Sequence, residues 1–515
     1  MALKQVDESL LTNADNLKGL ALRAALCRLT GDDRAARQAI EEGLSLDPLD
    51  YRMMAERFLL TRNKADLSEF CTKLANDVQT LLDVTFDLAW SGLFSDALEL
   101  LTTCIIEAGF DYPIALYTAS WLASLLHREG ELAEFARRAE AASPQLCFPA
   151  RLEEMIVLEC AIQRNPKAAR AHYYLGNLYY DKRRYHEAIA HWRAATELDG
   201  AFSIPFRNLG IAEFNVLYDA AEATQMYQRA FRANPEDARV LYELDQLRKR
   251  TGIASPADRR QFLELHRHLI ARRDDLTVEY VTLLNQSDEW QAALEHLAKR
   301  RFSPWEGGEG LVSAQFVFAH RALGQATLVA GKPADALVHF ETARRYPENL
   351  GEGKHLLTLE RDLDYFSGLA AQQMGDQDLA QRYWGAASAS LHNVGFHSYF
   401  QAQAFRALDK ETEALSIFSE LLTAARQEME TKPKIDYFAT SLPNLLLFKD
   451  DLGKRNRLNA QLLIALAEHG LGETQKAINS LEKIVKEDPN HLAAFETLRW
   501  FRNEIKPVSA NLENA

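Results

Sequence analysis

A chain of 515 residues, 47% of them hydrophobic, can bury a large core, either as several ordinary domains or as one long array. Its formal charge is −14, from Lys+Arg 59 against Asp+Glu 73, and its basic spots, such as Arg248, Lys249 and Arg250, are short. Nucleic acid is thereby excluded as the main partner, and these three residues read as a solvated helix end. The opening MALKQVDESLL lacks the apolar run of an export signal. The most apolar stretch, Tyr112 to Leu126, is too short to cross a bilayer, so no membrane partner is expected. The five cysteines, Cys27, Cys71, Cys104, Cys147 and Cys160, are odd in number and lack ligand spacing, which predicts reduced thiols in a cytoplasmic protein.

Along the chain, small and large residues recur in paired helical patterns. Residues 16–48 carry Ala24, Gly31, Ala36, Ile40, Gly43 and a closing Asp47-Pro48. Weaker units follow around Gly92 to Ala97 and Trp121 to Gly130. The clearest unit is AHYYLGNLYYDKRRYHEAIAHWRAATELDG, residues 171–200. It places Leu175, Gly176 and Tyr179 on one helix and Ala188, Trp192 and Ala195 on the next. Residues 203–236 repeat the pattern with one extra residue before the second helix. Residues 317–347 carry Gly324, Gly331, Ala336, Phe340 and Ala343, and residues 361–388 carry Gly368, Gly375, Ala380, Trp384 and Ala387. A weaker unit spans Ala402 to Ala414, and the last contains Ala465, Gly472, Ala477, Leu481 and Asp488-Pro489.

Small residues where two helices approach, with large ones filling the gaps, resemble the tetratricopeptide repeat. The expected fold is all-α, a tetratricopeptide-repeat-like α-solenoid of stacked antiparallel helix pairs, because each pair has an apolar face that only its neighbours can cover. The expected organisation is divergent repeats over 14–165, central repeats over 166–300, a Gly-rich loop and helix start over 301–316, and repeats over 317–431. An irregular packed segment at 432–457, a repeat and cap at 458–500 and a tail at 501–515 complete it. In repeats of this kind the first helices line the inner groove, so His172, Tyr173, Asn177 and Tyr180 are candidate groove residues. The alternative for Tyr173 and Tyr180 is packing between neighbouring helices.

Two segments break the pattern. The first is RRFSPWEGGEGLVSAQ, residues 300–315, where Pro304 forbids a continuous helix and Gly307, Gly308 and Gly310 make the loop costly to order. Helical periodicity ends at Leu297 and resumes at Val312. Trp305 offers a ring for stacking on a sugar or a peptide, and Glu306 and Glu309 offer acceptors. Paired carboxylates serve glycoside hydrolysis, but these two share one loop rather than facing each other across a substrate. A similar piece after the next repeat, NLGEGKH, supplies Glu352, Lys354 and His355. The two loops are expected to line one side of a shared partner- or sugar-contact site. The alternative is that Trp305 packs on the following helix and the glycines form its entering turn. The second irregular segment, residues 432–452, is too apolar for a free linker and is expected to pack along the solenoid.

No Walker loop, dinucleotide fingerprint, HExxH pattern or nucleophile elbow is present, so neither a cofactor, a metal nor a catalytic residue is expected. FSPWEGGEG and KIDYFATSLPNLLLF, set among such repeats, resemble the C-terminal half of large bacterial proteins. Those proteins join an uncharacterised, sugar-binding-like β-sandwich to tetratricopeptide repeats. No run of alternating strands marks that sandwich in this sequence. The resemblance implies a carbohydrate context and a partner: another protein or the missing β-sandwich. The expected function is a protein-protein interaction scaffold docking a carbohydrate-active domain, not an enzyme in isolation. Two alternatives stand beside it: a component of a glycoside-processing enzyme whose loop 302–310 completes the substrate site, and a regulatory peptide-binding repeat protein.

Overall fold

The computed structural model describes residues 1–108, 111–305, 307–389, 393–432 and 447–502. Among the described residues there is no β-strand, and the helices stack as antiparallel pairs. No described helix is long and apolar enough to cross a membrane. The chain divides into two compact units, Met1–Ala212 and Glu213–Ala515.

Local sequence sets the helix starts. Asn16, Asp32, Asp50 and Asp77 each accept a backbone N–H from the first turn of the helix that follows. Ser255 and Asp258 form a reciprocal capping box ahead of Pro256–Leu265. In the first unit, Leu17–Leu29 pairs with Asp33–Leu46, Pro113–Leu125 with Glu129–Ala141, and Ala169–Asp181 with Tyr185–Leu198. In the second, Leu311–Val329 pairs with Pro333–Ala343, Arg361–Gln373 with Gln377–Ser388, and Leu452–Gly470 with Thr474–Glu487.

One contact recurs inside three of these pairs. The ring of Trp192 lies on Gly176, where a Cβ would come within 2.5 Å of it. Phe340 lies on Gly324 and Trp384 on Gly368 in the same way, each ring sixteen residues after its glycine. The rings are buried, and the alanines that flank them, Ala188, Ala195, Ala336, Ala343, Ala380 and Ala387, are fully buried.

Charges are also buried. In the first unit Arg28 donates to Glu56 at 3.0 Å and to Asp96 at 2.8 Å, linking three helices. In the second unit Arg259, 1% exposed, donates to Asp245 at 3.0 Å, to Glu279 at 2.5 Å and to Asn490 at 2.6 Å. Burial opposes ionisation of Glu279, but Lys249 and Arg259 prevail and hold its carboxyl far below the usual carboxylate range.

Asn490 leads into the closing helix, Leu492–Arg502, which turns back on its own unit. Its Glu496 accepts from Arg321 at 2.9 and 2.6 Å. Trp500 stacks on Phe400 at 5.6 Å and meets Phe366 edge-on at 5.3 Å, while Phe501 stacks on His469 at 3.8 Å. Arg499 pairs with Asp288 and lies over the Trp290 ring. Of the irregular segment at 432–452, residues 433–446 lie outside the described residues. Its far end packs: Phe448 is 2% exposed between Phe214 and Tyr227, and Asn215 bonds the backbone on both sides of it at 2.8 Å.

Histidine pairs join two of the helix pairs. His172 and His191 face each other through Nδ1 at 2.9 Å, and His320 and His339 at 3.3 Å. Nε2 of His172 points at the Pro166 carbonyl, 3.3 Å away, so it carries the proton and Nδ1 accepts from His191. Burial, then the neighbouring His339, lowers His320 to about 4; burial also lowers His172, His191 and His339.

Two outcomes follow from this packing. Gly368→Ala forces a methyl against Trp384 and should cost about 1–3 kcal/mol. Gly385→Ala, in the same pair with open space around it, should be neutral or stabilise by up to about 1 kcal/mol. Urea midpoints of the two variants test the difference, and equal midpoints would count against the close contact. The histidines set an acid dependence. The unfolded chain binds protons at His320 as pH falls from about 6.5 towards 4 while the folded chain refuses them, so stability falls across that window. His320→Gln should flatten the fall relative to wild type in urea titrations between pH 7.5 and 4.5.

Candidate functional site

The loop after Trp290–Ala298 and the loop after Pro333–Ala343 are pinned to each other. Nδ2 of Asn349 donates to the carbonyls of Leu297 and Arg300, both at 2.8 Å, closing the end of the first helix. The Asn349 carbonyl in turn accepts the Phe302 N–H at 2.8 Å, and Phe302 is buried. Gly351 has φ +76, and a Cβ there would collide with the Phe302 carbonyl oxygen, so only glycine fits this crossing.

Carboxylates then order the start of the next helix. Gly310 has no side chain to cap Leu311–Val329. Glu352 does so from the other loop, accepting Gly310 N–H at 2.7 Å and Ser313 Oγ–H at 3.0 Å. Glu309 accepts Gly307 N–H at 2.9 Å. Trp305 is half-buried and folds over its own loop: a Cβ on Gly308 would collide with its ring. Glu306 lies outside the described residues. His355 is exposed, and its Nδ1 accepts Leu357 N–H at 3.1 Å.

Between these loops and the closing helix lies a cavity of about 860 Å³. Glu309, Glu352 and His355 all line it, so the structure brings together three residues from two loops that sequence placed after adjacent repeats. Trp305 is not in its wall; the neighbouring Pro304 is. Much of the wall comes from residues that the sequence did not single out. Phe318, Tyr346 and Phe396 supply apolar and aromatic faces, and Arg321 and Glu496 supply a charge pair. Arg321 is held between Glu496 and Asp362. Burial, reinforced by Glu360 and Glu352, raises the Tyr346 phenol, which therefore stays a hydrogen-bond donor at neutral pH. No spacing rule connects Glu496 with Arg321, 175 residues away. Chemically the cavity offers carboxylate acceptors around an aromatic floor. Glu352 is engaged in capping and Glu496 in its ion pair.

The four groove candidates all have partners within their own unit. Tyr173 is buried against Phe202 at 4.9 Å, and Tyr180 sits between Tyr185 and Trp192 at 4.9 and 5.2 Å. Oδ1 of Asn177 accepts from Trp192 Nε1 and Asn208 Nδ2, both at 3.0 Å. His172 is committed to His191. A second cavity in this unit, about 450 Å³, opens beside Trp121, Val157 and Cys160. Among the described residues no group of three or more His, Cys, Asp or Glu could hold a metal ion.

Residues 169–202 and 458–491 each match a tetratricopeptide-repeat family model. Among solved structures, the chain is similar to a tetratricopeptide repeat protein from Parabacteroides merdae at 15% identity, covering 57% of this chain and 98% of that one, with a TM-score of 0.25. It is similar to YrrB, a TPR protein with an unusual peptide-binding site, at 14% identity over 47% and 98% of the two chains, TM-score 0.19. It is also similar to a chain of Naa15/Naa10 bound to HypK-THB, at 14% identity over 97% and 93%, TM-score 0.25. Residues 169–202 and 458–491 are thus tetratricopeptide repeats, set within an all-α solenoid of stacked antiparallel helix pairs.

Proposed function

We propose that this chain is a scaffold that docks a carbohydrate-active partner through the paired loops 299–310 and 347–358 of its second unit. The observation that carries the reading is the mutual pinning of these loops around a cavity. A helix-to-helix connection needs only a short turn, whereas this one is ordered by side chains from a second loop. The partner is a protein bearing the β-sandwich found in the bacterial proteins that this sequence resembles.

A second reading is that the cavity completes a sugar site on that partner. The aromatic faces of Tyr346 and Phe396 beside Glu309 favour it, because rings stack on sugar faces and carboxylates accept from hydroxyls. In the first reading the loop is an interface; in the second it touches the substrate.

Calorimetry against a purified β-sandwich protein of that kind, with a thermal melt of each variant, tests the docking. Trp305→Ala should weaken binding by about 2 kcal/mol if the indole anchors the interface, and Glu309→Gln by less. Unchanged affinity in normally folded W305A and E309Q would remove the loop from the interface. A lower melting temperature with equal affinity would assign Trp305 to packing alone.

A further inference from the structure

In the first unit, Cys71 and Cys104 stand 33 positions apart in sequence, yet their Sγ atoms lie 3.9 Å from each other. Cys71 is on Lys64–Leu74 and Cys104 on Phe94–Ala108. These helices pack together as the second members of successive helix pairs, after Tyr51–Thr61 and Val78–Trp90. A disulfide holds its sulfurs about 2 Å apart, so a movement of about 2 Å would join the two. The end of Lys64–Leu74, one turn beyond Cys71, is where that movement can be taken up. Ala75 follows it at φ +49, a left-handed conformation that a β-carbon disfavours, so rearranging this turn gives strain back.

Beside the two sulfurs is a cavity of about 20 Å³, walled by both cysteines and by Leu74, Leu81, Asn76 and Asp77. Its size suits one small polar molecule, such as water or hydrogen peroxide, and excludes glutathione. Cys71 is half-buried and Cys104 only 3% exposed, so an incoming oxidant meets Cys71 first.

We propose that Cys71 and Cys104 are a site of oxidation by hydrogen peroxide, with Cys71 as the attacking thiol and Cys104 as the resolving one. The Cys71 thiolate attacks one peroxide oxygen and the O–O bond breaks. Cys71 becomes a sulfenic acid, and the departing hydroxide takes up the thiol's proton as water. The Cys104 thiolate then attacks Sγ of Cys71, forming the S–S bond and expelling the second hydroxide, which takes the Cys104 proton. Two thiols and one peroxide become a disulfide and two waters. The sulfurs give up two electrons and the peroxide oxygens receive them. The bond ties one helix pair to the next and closes a loop in the unfolded chain, so the oxidised protein is the more stable form.

Peptide mapping of the full chain tests this. Reduced protein is treated with a small excess of hydrogen peroxide, blocked with N-ethylmaleimide and digested without reductant. A peptide linked through Cys71 and Cys104 should appear, and dithiothreitol should remove it. The oxidised protein should melt about 5 °C or more above the reduced protein. In Cys104→Ala the reaction stops at the sulfenic acid, so dimedone should label Cys71 about tenfold more than in wild type. Oxidised glutathione at equal concentration should form the link about tenfold more slowly than peroxide. Absence of the linked peptide from folded wild-type protein would overturn the proposal, and this arm needs no variant. Linkage of Cys71 to Cys27, Cys147 or Cys160 would do so as well. Equal rates with oxidised glutathione would overturn peroxide as the oxidant. Dimedone labelling of Cys104 in Cys71→Ala as strong as that of Cys71 in Cys104→Ala would overturn the order of attack.

Discussion

A glycine pressed under an aromatic ring is the contact on which three of the helix pairs depend. Gly176 under Trp192, Gly324 under Phe340 and Gly368 under Trp384 let two helix backbones approach until the ring fills the space a side chain would occupy. The alanines that flank each ring are fully buried in the same close-packed interior. Because the contact lies within one pair, it does not depend on distant parts of the chain. Each pair then presents its remaining apolar side to the next.

This explains what could be read from sequence. The ring follows its glycine at a constant spacing, and helical periodicity surrounds both, so the fold class was legible from Ala, Gly and aromatic positions alone. The same locality placed Glu352 and His355 near Glu309, since their loops follow adjacent repeats. Trp305 was not legible in the same way. Its ring turns onto Gly308 rather than into the cavity, and the choice between those directions rests on backbone geometry within the loop. The surroundings of Asn177 were likewise hidden: the sequence shows a polar group on a packed helix, and the two donors that reach it, Trp192 and Asn208, lie 15 and 31 residues further on.

Contacts across long separations were invisible. Arg321 with Glu496, Arg259 with Asn490 and Asn215 with the backbone around Phe448 join residues 175 to 234 positions apart. They depend on how the repeats of the second unit turn, which no local pattern encodes. Their chemistry nonetheless makes them demanding. A buried guanidinium needs its carboxylates, because a lone charge in the interior costs several kcal/mol. The closing helix therefore has one register in which Glu496 meets Arg321 while Trp500 meets Phe400, and few alternatives.

The closing helix also bears on how the chain is made. Repeat arrays with only neighbour contacts can acquire structure stepwise as they leave the ribosome. The second unit departs from that scheme, because Arg259, Trp290 and Arg321 receive partners from residues near the end of the described chain. Asp245, Glu279 and Asp362 reach Arg259 and Arg321 early, but the partners from the closing segment arrive only after more than 170 further residues have been synthesised. At roughly 5–20 residues per second that interval lasts on the order of ten seconds or more. During it the exposed inner faces of the nascent helices are open to chaperones or to aggregation, and emergence of the closing helix, not of each repeat, sets the time at which these contacts form.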